Sequence, residues 1–258
     1  MFYRVDYMLA VLLAGFLVGL LFSKALGKIA PSSLARDYYV AVAVLVTLRA
    51  GVFACAMLMS HQSFWTSSGG IVGDLTTLLF GALFGLAARR RDYREFLTSP
   101  MILRALCMML AFTFALAGTG KAFSMAPMTE FFTQSGYSVA FLKFIVIAEI
   151  LGGIGLLLPW AIPAALIGLT IDMFGAVLTH VHNGDPLNDS TGAIGLLIRL
   201  VVVGVLWAVS RRNSASAPAI RNSILSVAAM TLACLLIAFA GSIEMRHVGA
   251  TGTSHLPN

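Results

Sequence analysis

The sequence predicts an all-α fold: a polytopic helical membrane protein with about eight transmembrane helices. Three observations predict it. Of 258 residues, 59% are hydrophobic and only 11% charged, whereas soluble domains carry about 25% charged residues. The apolar residues come in runs of about 18 to 22 with glycine scattered through them, the pattern of helices that cross a bilayer. The Lys and Arg behind the formal net charge of +6 cluster in short loops beside those runs, where they set topology rather than form a nucleic-acid surface.

The spans fall at roughly 8–27, 39–59, 70–88, 101–120, 140–160, 162–181, 191–210 and 223–242. Each approaches the ~20 residues that a rise of ~1.5 Å per residue needs to cross ~30 Å of hydrocarbon. The first run is too long for a signal-peptide core and has no small-x-small cleavage site ahead of Lys28, so it reads as a retained helix. Pro159 and Pro163 bracket a tight turn between spans five and six. Cys55, Cys107 and Cys234 are widely spaced in apolar runs, which argues against a thiol-disulfide enzyme.

Basic residues near span ends are retained in the cytoplasm. Lys24, Lys28 and Arg36 flank or follow span one, Arg89, Arg90, Arg91 and Arg94 follow span three, and Arg211, Arg212 and Arg221 follow span seven. By parity these loops share one side. The other side has Arg4, Lys121 and Arg246, with Lys143 just inside its span, so both termini are expected outside. The outer loops then hold the polar chemistry: His61 and Trp65, the stretch 121–137, and the stretch 180–189. The basic loop before residue 101 and the Ser- and Ala-rich linker after residue 210 divide the chain into 1–100, a four-span unit 101–210, and 211–258 with the last span and tail.

A charged side chain at mid-span costs about 2.5–3.5 kcal/mol on insertion scales, so it demands a partner or a function. Arg49, Glu149, Asp172 and Arg199 qualify, each about eight to ten residues from the outer end of its span. Two positive and two negative charges in one layer sum to zero. Glu149 with Arg199 and Asp172 with Arg49 is one pairing among those available. The layer reads either as a structural register or as a site for a proton or polar head group. Asp74 and Lys143 lie nearer the surface, where snorkelling accounts for both.

In the four-span unit, span four ends Gly118-Thr119-Gly120-Lys121, and Phe123, Met125, Met128, Phe131 and Phe132 then punctuate a stretch that reads as an interfacial amphipathic helix. Span five carries Glu149 followed by Gly152, Gly153 and Gly155 in a Leu-rich run, and span six closes on His180, His182 and an Asn183-Gly184-Asp185 turn. In order and spacing, the Gly-x-x-Lys ending, the Phe-rich stretch reaching Gly136, the Glu149 to Leu158 run and the closing His180 resemble the DoxX family of small bacterial membrane proteins.

The resemblance implies a DoxX-like four-helix bundle with both ends cytoplasmic, in the cytoplasmic (inner) membrane of a bacterium. It also implies association with sulfur and quinone redox chemistry or with oxidative-stress enzymes. Carried over by position, Lys121, Glu149 and His180 form the expected polar or ligand site: Lys121 as a point charge and His180 as a group that switches near neutral pH suit an anion. Phe123, Phe131, Phe132 and Tyr137 are candidates to line a quinone or lipid entry.

No metal site is expected, because His180 and His182 point to different helix faces. No two histidines at matching depth suit haem, and no nucleotide or nucleophile-elbow motif occurs. No cofactor is evident beyond a candidate quinone. The expected partners are the lipid bilayer and a redox protein, with no nucleic acid. The leading functional expectation is an accessory subunit supporting a redox partner, since two-electron chemistry needs a carrier. The alternatives are a thiosulfate:quinone oxidoreductase-type subunit using Lys121, His180 and Glu149, and a transporter of a small molecule or ion using the buried charges. Whether the chain is an enzyme is left open.

Overall fold

The computed structural model describes residues 5–58 and 62–214, and among them it contains nine helices and no strand. These are α1 (Val5–Leu26), α2 (Pro31–Leu58), α3 (Gln62–Ala87), α4 (Tyr93–Leu97), α5 (Pro100–Phe123), α6 (Met125–Gln134), α7 (Val139–Leu157), α8 (Ile162–Asn183) and α9 (Thr191–Ser214). Six of them, α1, α2, α5, α7, α8 and α9, are long and apolar enough to cross a membrane. The third expected span lies within a longer helix, since α3 runs back to Gln62. The expected eighth span at 223–242, with Cys234 and the linker beyond Ser214, lies outside the described residues, as do Arg4 and His61; the first linker residues, 211–214, continue α9.

The chain forms two compact units. The first takes the described residues up to Leu110 together with 184–214; the second is Ala111–Asn183. In the first unit α9 packs with the leading helices, Gly195 facing the Met8 side chain.

In the first unit α1 and α3 lie side by side through two reciprocal small-residue pairs. Gly15 and Gly19 of α1 face the carbonyl oxygens of Leu78 and Ala82, while Gly81 and Gly85 of α3 face those of Leu12 and Phe16. The partner numbers rise together, so the helices run parallel. A side chain at any of the four positions would collide with backbone, which cannot yield as a flexible side chain can. Close backbone approach through Gly-x-x-x-Gly is a main route to helix association in lipid, where apolar burial gives no net drive.

Charged and polar groups finish this unit. Tyr7 donates to Asp74 at 2.8 Å. Arg199 of α9 donates to Thr77 at 2.6 Å, with its guanidinium 5.7 Å from the Phe80 ring centroid. In the basic loop Arg90 is buried: it donates to both carboxylate oxygens of Asp92 at 2.8 Å and to the Leu26 and Ile29 carbonyls at 3.2 and 3.0 Å, and it lies over Phe96. The same guanidinium holds the Asp92 carboxyl below its ordinary pKa.

Candidate functional site

The second unit is built around α7. Leu142, Val146, Glu149, Gly153 and Leu156 are buried, whereas Ile147, Leu151, Ile154 and Leu158 are exposed. Both sets recur at helical spacing, so α7 has an inner and an outer stripe that are both apolar, with Glu149 on the inner one. Four glycines bring the neighbouring helices against it. Gly153 faces the backbone of Ala111 and Ala115 on α5, and Gly118 of α5 faces the Val146 carbonyl and the Ile150 side chain. Gly152 and Gly155 face Leu169 and Ala165 of α8.

Those contacts set the register of the charges. α5 and α7 run antiparallel, and helical side chains lean toward their own N-terminus. Lys121, one turn past Gly118, therefore leans back along α5 while Glu149 leans the opposite way along the bundle, and the two meet. The Lys121 ammonium donates to both Glu149 oxygens, at 2.7 and 2.6 Å. Glu149 is 1% exposed and Lys121 25%, so the carboxylate is sealed and its partner reaches it from the edge.

On the other flank, pairing Gly155 with Ala165 and Gly152 with Leu169 carries Asp172 to the level of Glu149, one turn further on. Asp172 is electrostatically coupled to both members of the pair. One of its carboxylate oxygens is sealed from solvent and accepts no hydrogen bond among the described residues.

The end of the unit beyond Lys121 is closed by α6, the short helix that the Met and Phe spacing predicts. Gly136, at φ +82°, ends it in a Schellman motif: the Gly136 and Tyr137 amides donate to the Thr133 and Phe132 carbonyls at 3.0 and 2.8 Å. Tyr137 also meets the Phe132 ring, 5.9 Å between centroids, and stacks on Phe141 at 5.0 Å. Ser138 then caps α7 by accepting from the Phe141 amide at 3.1 Å. The end of α8 is tied to this corner by Tyr137 to Thr179, 2.9 Å between hydroxyls, and by Asn183 donating to Ser135 at 2.8 Å.

The sequence-derived site residues thus separate into groups. Lys121 and Glu149 come together. His180 packs its ring 5.6 Å from that of Phe131, in the aromatic corner rather than in the ion pair. Of the charge layer, Glu149 and Asp172 share the second unit, while Arg49 and Arg199 belong to the first. The pairing of Glu149 with Arg199 that the sequence left available gives way to Lys121, which takes both oxygens. Thr77, Thr179 and Ser135 were not singled out from the sequence, and Asn183 only as part of a turn, because neutral polar residues in or beside a span raise no insertion penalty that would mark them. Among the described residues no three His, Cys, Asp or Glu side chains gather as a metal site would require.

Among the described residues, six helices long and apolar enough to cross a membrane define a multi-pass helical membrane protein. The model of the DoxX-like family matches residues 105–209, the segment that holds Lys121 and Glu149. No curated protein and no solved structure is measurably similar to the chain.

Proposed function

We propose that the chain is a DoxX-like membrane subunit that supports a redox partner in sulfur and quinone or oxidative-stress chemistry, in the cytoplasmic membrane of a bacterium. The observation that carries this reading is the Lys121–Glu149 pair. Both carboxylate oxygens are engaged and the carboxylate is sealed, so the pair acts as a lock that fixes α5 on α7 and presents the α6 corner to a partner. A catalytic anion site would instead leave the ammonium open to its ligand. A quinone is the cofactor class that suits the adjoining ring group of Phe131, Phe132, Tyr137 and Phe141.

The test is purification in mild detergent, followed by a visible spectrum, identification of bound lipids and co-purified proteins, and an assay of thiosulfate-dependent quinone reduction. The expected result is no turnover by the chain alone and an identified redox enzyme that co-purifies with the wild type and is lost with Lys121→Met. Turnover by the isolated wild type that disappears in Glu149→Gln would replace this reading with the thiosulfate:quinone oxidoreductase one.

One observation favours a second reading, transport of a small molecule or ion. The sealed, unbonded oxygen of Asp172 beside the ion pair is the kind of group that exchanges protons or cations in transporters. Flux into proteoliposomes that is abolished by Asp172→Asn would support it.

A further inference from the structure

In the first unit, at the end opposite Asp74, the last turn of α1 and the residues after α3 border an open notch of about 440 Å³ lined by Ser23, Lys24 and Arg89. Neither Lys24 nor Arg89 has an acidic partner among the described residues. Asp92, three residues after Arg89, is held by Arg90. The Ser23 hydroxyl donates to the Leu20 carbonyl at 2.6 Å, so the recognition falls to the two cations.

The C-terminal dipoles of α1 and α3 each contribute about half a negative charge at this end. Two full positive charges outweigh them, leaving the notch net positive. Next to Arg89, Arg90 ties the end of α1 to the loop after α3 through its bonds to Leu26, Ile29 and Asp92. Leu21 and Phe22, immediately before Ser23, are exposed on α1, with Leu17 one turn earlier, so an apolar face leads out of the notch along the spanning helix.

We propose that this notch binds the phosphodiester of an anionic phospholipid, with Lys24 and Arg89 on the phosphate and the acyl chains along the Leu17 and Leu21 face of α1. A phosphate is the shared chemistry of a lipid head group and the free ion; the exposed apolar face beside the cations favours the lipid. The site stands independently of the redox reading and of any partner.

The experiment is native mass spectrometry of the full chain in mild detergent, titrated separately with phosphatidylglycerol, phosphatidylcholine and inorganic phosphate. Phosphatidylglycerol is expected to bind at least tenfold more tightly than phosphatidylcholine. Lys24→Gln with Arg89→Gln is expected to weaken it about thirtyfold, at about fivefold per cation near a membrane surface. The charge-keeping pair Lys24→Arg with Arg89→Lys should retain binding. Lys28→Gln with Arg91→Gln, which removes equal charge outside the notch, should change affinity less than threefold. Equal binding of the two lipids, an equal loss in the Lys28 and Arg91 control, or failure of the charge-keeping pair to bind would overturn the proposal. So would inorganic phosphate displacing the lipid at equal concentration, which would make the free ion the occupant.

Discussion

Both units bring helices together through glycine, but they use the closeness differently. Between α1 and α3, four glycines put backbone against backbone with no charge at the glycine contacts, the Tyr7–Asp74 hydrogen bond lying at one end of the pair. Around α7, Gly118 and Gly153 let α5 approach, less tightly, and the proximity serves to seal Lys121 against Glu149. The first arrangement is packing alone. The second makes the packing depend on a charge, because a buried carboxylate without its partner is far more costly than a lost contact. A Gly-x-x-Lys ending facing a Glu-x-x-x-Gly run is therefore one physical device: the small residues set the helix distance at which the ion pair can form.

The largest expected effect comes from removing only the cation. Lys121→Met leaves Glu149 sealed and unpaired, and should lower stability by about 3–5 kcal/mol in a detergent unfolding titration. Obstructing the close approach comes next. Gly19→Leu in the first unit and Gly118→Val in the second should each cost about 1–3 kcal/mol through overpacking. Gly51→Leu and Gly120→Val, where nothing lies within 4 Å of an added Cβ, should be tolerated far better. The two obstructions should also differ in kind: Gly118→Val should weaken the Lys121–Glu149 coupling as well, whereas Gly19→Leu should leave it intact.

A smaller effect, about 1 kcal/mol, is expected for Tyr137→Phe, which removes the hydroxyl contact with Thr179 while keeping the ring stack on Phe141.

The smallest is pH-dependent and confined to the basic loop. Because Arg90 lowers the Asp92 pKa in the folded chain, the folded state binds fewer protons than the unfolded one through this range. The contribution is complete above the ordinary aspartate value of about 3.9 and is lost as pH falls through the lowered value. Unfolding midpoints followed from pH 6 downward should show this loss in the wild type and not in Asp92→Asn.

The sequence made some of this comparison readable and hid the rest. Hydropathy placed six of the expected spans among the described residues, since a run long enough to cross lipid has few other uses. The aromatic and Met spacing located α6, and the turn at 183–185 is where the chain leaves α8 through Gly184 at φ +71°. Lys121 and Glu149 were each marked by their charge, yet their pairing was not readable. They lie 28 positions apart, and only the neighbour relation of α5 and α7 decides which cation reaches the carboxylate. The four glycines of α1 and α3 carried a spacing signal, Gly15 to Gly19 and Gly81 to Gly85, that was lost among the other glycines of apolar runs. The start of α3 at Gln62 was hidden because polar residues can extend a helix without adding to its hydropathy.

The account rests on Lys121 and Glu149 acting as one unit, and a double-mutant cycle tests that directly. Lys121→Met, Glu149→Gln and the double variant would be compared with the wild type by reversible unfolding in one detergent. The prediction is a coupling of about 1.5 kcal/mol or more, with the double variant more stable than Lys121→Met alone. Additive losses, with no coupling beyond about 0.5 kcal/mol, would contradict it.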